Sequence, residues 1–214
     1  MEIKSLKYMF HSSRFWQYLT IMVLANYFGG FFSYSYKTFG ENDSPHDQIS
    51  DTTLTWAASI GAGFVNGASR VVFGALVDKY SFRCLMSILM AIQLANSMLC
   101  FWAAYVPWLF FICVLVNYMV IGGMYAIFPS SVQNCFGLEL GPQIYAQILI
   151  GGFFSSLLVL GTTTWLLPAT NFVTLFYVGS LFQIATLVCL YFFNEELDVK
   201  NLAKRDCLKL VKSA

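Results

Sequence analysis

One arginine interrupts the second of six long apolar stretches, and this residue, Arg70, is the sharpest chemical signal in the chain. An ionised guanidinium in hydrocarbon is costly unless it faces a partner or a water-filled cavity, so a charge at this place marks either a functional site or a bond between helices. Arg70 stands seven residues before Val77. At helical rise that is about 10 Å from the inner end of its helix. A long side chain reaches only part of the way back to water from that depth. A guanidinium can hold a carboxylate by two parallel hydrogen bonds, which makes a small carboxylate anion the candidate ligand, with Asn66 beside it. The alternative is a structural role, in which Arg70 bonds to Asn66, four residues earlier on the same helical face.

Other reactive groupings are absent from the pattern. The sequence shows no paired carboxylates, no nucleophile with a base and no metal-ligand spacing, so an enzyme is not expected and no cofactor or metal is called for. The six cysteines (Cys84, Cys100, Cys113, Cys135, Cys189 and Cys207) are scattered without C-x-x-C spacing and read as small apolar side chains. His11 and His46 have no partners at ligand spacing. A net charge of +1, with basic residues only beside apolar segments, speaks against nucleic-acid binding.

The elements that must position Arg70 follow from composition. Hydrophobic residues make up 58% of 214 positions and charged residues 11%, against about a quarter charged in an ordinary soluble domain. Six stretches, residues 15–36, 54–77, 84–105, 108–128, 144–167 and 172–193, have the length of a bilayer crossing. Uninterrupted apolar runs without strand alternation predict a helical bundle rather than a barrel. The fold class expected is therefore an all-α membrane protein of six spans over residues 1–193, followed by a basic tail at 194–214. Val199, Leu202, Ala203, Leu210 and Val211 give that tail a helical periodicity suited to a lipid surface; a frayed end is the other reading.

Ten of the twelve Lys and Arg residues fall on one side of these spans: Lys4, Lys7, Arg14, Lys79, Arg83, Lys200, Lys204, Arg205, Lys209 and Lys212. That side is expected to be cytoplasmic, or the matrix side in a mitochondrial membrane, and both termini lie on it. The charge pattern does not distinguish a plasma membrane from a mitochondrial inner membrane. Lys37 flanks the opposite face, where residues 40–51 carry four acids and Pro45 as a turn-rich outer loop. The inner connection at 129–142 is bracketed by prolines and has room for a short surface helix. Gly63 and Gly67 form a G-x-x-x-G pair, whose expected use is close helix packing. Gly122, Gly123, Gly151, Gly152 and Gly161 extend the theme.

The run from Gly74 through Asp78 and Lys79 to Arg83 resembles the signature loop of the major facilitator superfamily. There, a Gly, an Asp and flanking basic residues lock two helices at the inner face; Ser81 stands where a glycine is usual. Further segments agree in order: Arg14-Phe-Trp, Tyr36 to Gly40, Leu54-Thr-Trp56, Asn66 to Arg70, Tyr125 to Pro129, Phe136-Gly137 and Tyr145. Together they resemble the C-terminal half of oxalate/formate antiporters and monocarboxylate transporters across all six spans. The resemblance implies that Arg70 engages a substrate carboxylate. It also implies a lysine in the fifth span of an oxalate carrier, and residues 148–152 have none, which disfavours a doubly charged substrate. Transporters of this kind place the substrate path between two six-helix halves. The chain is expected to supply one half, starting at its own Met, with Arg70 turned to lipid or an unlined groove unless another polypeptide covers it.

Two functions follow. The first is a transporter-derived accessory or structural subunit of a larger membrane complex, contacting the bilayer and other membrane subunits. The alternative is half of a split or homodimeric carboxylate carrier, the covering chain being a second copy of itself.

Overall fold

A computed structural model of the chain describes residues 12–42, 44 and 48–193. The expected tail at 194–214 and the basic residues Lys4, Lys7, Lys200, Lys204, Arg205, Lys209 and Lys212 lie outside the described residues, as do His11, His46 and Cys207. Among the described residues there are six helices and no strand: α1 (Ser13–Asn42), α2 (Asp51–Val77), α3 (Phe82–Ala103), α4 (Pro107–Phe136), α5 (Gly141–Ala169) and α6 (Phe172–Tyr191). Five of them, α2 to α6, are long and apolar enough to cross a membrane, as an integral membrane protein requires.

The exception is α1, which is 30 residues long but carries Asn26, several tyrosines and small polar residues along its length. Fifteen of its 30 residues are buried in the bundle.

Each helix end has a local cause. Ser50, Ser81 and Asn171 each accept a hydrogen bond from the backbone N–H three residues on, capping α2, α3 and α6. Pro107 opens α4, where its missing N–H costs nothing. The helix α4 also contains Pro129 and continues past it to Phe136. The connection expected at 129–142 therefore shrinks to residues 137–140, where Gly137 takes a φ of +85° open to glycine. Pro129 removes one backbone donor, but its flanks Phe128, Ser131 and Val132 are buried, and this packing carries the helix through.

One end of the bundle gathers the start of α1, the start of α3 and the end of α6. Arg14 lies over the Phe193 ring at 5.2 Å, and Arg83 lies over Tyr191 at 5.3 Å. At the opposite end Lys37 of α1 pairs with Asp51 at the start of α2. That hydrogen-bonded carboxylate holds the exposed Lys37 ammonium above its ordinary pKa.

Two apolar clusters form the core. Nearer the Arg14 end, Tyr18 is ringed by Phe82, Phe128, Phe136 and Phe193, and its hydroxyl hydrogen-bonds with that of Ser131 at 2.7 Å. Nearer the Lys37 end, Phe28 and Phe32 stack on each other, and both, with Phe39, Phe110 and Phe176, make edge-to-face or tilted contacts, geometries that the ring quadrupole favours. Between the clusters lies a layer of buried polar side chains that includes Gln93, Asn96, Ser97, Asn117, Ser180 and Gln183.

Glycines set the closest helix contact. A Cβ on Gly122 of α4 would collide with Ser69 and with the backbone of Asn66, and one on Gly123 would come within 2.7 Å of Phe73, so α2 lies directly on α4. The expected packing role of Gly63 and Gly67 is not found within this chain: nothing lies within 4 Å of a Cβ at either, or at Gly74. All three point away from α4, the helix that α2 packs on. Gly122→Leu should therefore cost about 1–3 kcal/mol of stability by overpacking, whereas Gly67→Leu should be neutral or gain up to about 1 kcal/mol in helix propensity. Thermal unfolding of both variants in detergent checks the pair.

Candidate functional site

The contact at Gly122 determines what the polar side of α2 can reach. Ser69 fits against Gly122 and donates to the carbonyl of Asn66 at 2.8 Å. Asn66 then donates from Nδ2 to the carbonyl of Tyr118 on α4 at 3.4 Å, and its Oδ1 accepts from Arg70 Nε at 3.0 Å. The amide thus ties the arginine to two helices. Asn66 is the one hydrogen-bond partner of Arg70 among the described residues, and Arg70 makes no ion pair among them. Its two terminal nitrogens have no hydrogen-bond partner among the described residues, a fork suited to a carboxylate.

Arg70 and Asn66 line a cavity of 580 Å3 between α1, α2, α4 and α5. Asn26 of α1 donates to the Tyr125 hydroxyl of α4 at 2.9 Å across its wall. From α5 come Gly152, Ser155 and Ser156. Ser155 is 2% exposed, and its hydroxyl has no hydrogen-bond partner among the described residues. Arg70 itself is exposed, because the cavity is open on the side that no other helix of this chain covers.

The two helices flanking that opening share two properties. They are the least sheltered of the five apolar helices, with 17% of the most apolar stretch of α2 buried and 28% of that of α5, against 50% in α4. Each also has one wide turn of π type, Ile60–Val65 in α2 and Thr162–Leu166 in α5. In these turns the amide of Asn66 bonds to the Gly61 carbonyl and that of Leu167 to the Thr162 carbonyl, five residues back. Such turns shift helical register and gather at functional sites.

The structure brings together two of the expected site residues, Arg70 and Asn66, and leaves the other four apart from them. Gly74 sits on α2 a turn closer to its Val77 end, with open space around it. Asp78 ends α2, Lys79 follows in the turn, and both are exposed. Arg83 lies in the first turn of α3 over Tyr191. Absent from the expectation were Asn26, Ser33, Tyr118, Tyr125 and Ser155, all of which line the cavity. Asn26 had a readable signal, a carboxamide inside an apolar stretch, whereas Asn66 was singled out by its spacing of four from Arg70. Among the described residues no group of three or more His, Cys, Asp or Glu is placed to hold a metal ion.

Neither a protein-family model nor a curated protein matches the chain.

A buried hydroxyl without a partner lowers stability by about 1–3 kcal/mol. Ser155→Ala should therefore raise the thermal midpoint of the isolated protein. Asn66→Ala should lower it, because the bond to Tyr118 and the support of Arg70 go together; unfolding scans of the two variants in the same detergent test both.

Proposed function

We propose that this chain is a transporter-like bundle of six membrane spans, with both ends on the inner side, and that it works as a subunit of a larger membrane assembly whose other chain closes the α2–α5 face. One observation carries the reading. Arg70 stands exposed on a helix made for lipid, with Asn66 as its one bonded partner among the described residues. Hydrocarbon cannot solvate a guanidinium fork, whereas a second protein surface can. Gly63 and Gly67 agree with this, since open small residues let a neighbouring backbone approach closely. The inclusion of α1 as a sixth span rests on its 30-residue length and its place among the apolar helices. Arg14, Lys79 and Arg83 near one end support the orientation through the positive-inside rule.

A second reading has its own observation. The cavity of 580 Å3 presents Arg70 together with amides and hydroxyls, which suits half of a carboxylate carrier completed by another half or by a second copy. The likeness to monocarboxylate-type transporters favours a small carboxylate anion there, and Arg70 would be its clamp.

One experiment separates the two. The protein is purified from its own membrane in mild detergent, co-migrating chains are identified, and uptake of radiolabelled carboxylates is measured in liposomes with wild type and Arg70→Ala. Stable co-migration with other membrane chains and no uptake is the expected result. Uptake by the protein alone, abolished in Arg70→Ala, would overturn the subunit reading in favour of the carrier.

A further inference from the structure

The polar layer between the two apolar clusters holds three amide atoms without a hydrogen-bond partner among the described residues: Oε1 of Gln93, and Oε1 and Nε2 of Gln183. Gln93 is 1% exposed and Gln183 is 0% exposed. Carboxamides buried in an apolar interior are strongly disfavoured unless their donors and acceptors are met.

Helix geometry puts these two side chains at one place. The neighbours α3 and α6 run in opposite directions, with Arg83 at the start of α3 lying over Tyr191 at the end of α6. They are pinned midway by a 2.7 Å hydrogen bond between the hydroxyls of Ser97 and Ser180. Gln93 is four residues from Ser97 and Gln183 three from Ser180, both toward the Arg83 end. At helical rise they stand about 6 Å and about 4.5 Å from the pin. Spacings of four and three keep each on the face of its serine, so both carboxamides enter the same interface at nearly the same height.

The remaining atom of Gln93 leads to the cavity. Its Nε2 donates to Asn117 Oδ1 at 2.7 Å, and Asn117 Nδ2 donates to Ser33 Oγ at 3.0 Å. Ser33 lines the cavity that holds Arg70.

We propose that Gln93 and Gln183 form an internal water-binding site in the bundle core, joined to the Arg70 cavity by the hydrogen-bonded series Asn117 and Ser33. One water can donate to the two Oε1 atoms and accept from Gln183 Nε2, three bonds to polar partners, which is the usual coordination of a buried water. The site is independent of either reading of the cavity, because Gln93 and Gln183 belong to α3 and α6, are fully buried and do not themselves line the cavity. It makes the centre of the bundle a hydrated polar seam rather than a dry layer.

Water-edited solid-state NMR on the 15N-labelled chain in hydrated bilayers tests this, with side-chain amides assigned by single substitutions. Asn66 in the cavity serves as the wet reference. Asn96, buried and bonded to the Cys113 carbonyl at 3.1 Å, serves as the dry one. The amides of Gln93 and Gln183 should receive polarisation from water at the rate of Asn66, and Gln183→Leu should abolish the transfer to Gln93. Transfer no faster than that to Asn96 would overturn the proposal, since it is the result of a direct bond between the two glutamines. Persistence of the Gln93 signal in Gln183→Leu would also overturn it, because the water would not be shared. If Gln183→Leu does not fold, the wild-type comparison with Asn66 and Asn96 decides alone.

Discussion

Hydrocarbon offers no hydrogen bonds, and nearly every polar choice in this molecule answers to that constraint. Backbone groups meet it by forming helices. Side chains meet it in pairs that cross between helices: Tyr18 with Ser131, Asn26 with Tyr125, Asn117 with Ser33, Ser97 with Ser180. These bonds are individually modest in a membrane, about 0.6–2 kcal/mol each. Their alternative, an unmet donor in an apolar surround, is worse, and so they specify which helix faces meet.

The helices divide the work accordingly. Half of α1 is buried, and α4 packs with α2, α3 and α5. These two form the interior, with phenylalanines filling the space and glycines at 29, 122 and 123 allowing close approach. By contrast, α2 and α5 keep most of their apolar surface outward, flank the cavity and contain the wide turns. The named residues of the polar layer lie on α3, α4 and α6, and the lightly packed α2 carries Arg70. A charge on a helix with few neighbours can change partners without disturbing the core, a property useful both to an interface and to a binding site.

Much of this was legible in the residues. The six apolar stretches gave the helices and most of their approximate ends, because length and apolarity are one-dimensional properties. Arg70 and Asn66 were legible as a pair since a spacing of four is a contact on any helix, and their bond at 3.0 Å is such a contact. The end of α4 was not, because Pro129 is a stop signal that burial on either side overrides. Nor was the role of the glycines: the G-x-x-x-G spacing is the same whether a helix packs there or not, and Gly63 and Gly67 are open while Gly122 and Gly123, which lack that spacing, make the contact.

The sequence by itself determined that this chain is helical, suited to a membrane and marked by one deep cation, since each of these follows from residue type and order. Only the tertiary structure decided that Arg70 lines a cavity shared with Asn26, Tyr125 and Ser155, and that Gln93 is bonded to Asn117. These residues lie on different helices, and their meeting depends on how each helix is rotated about its axis. That rotation is set by the summed packing of all its neighbours, which no local spacing along the chain records.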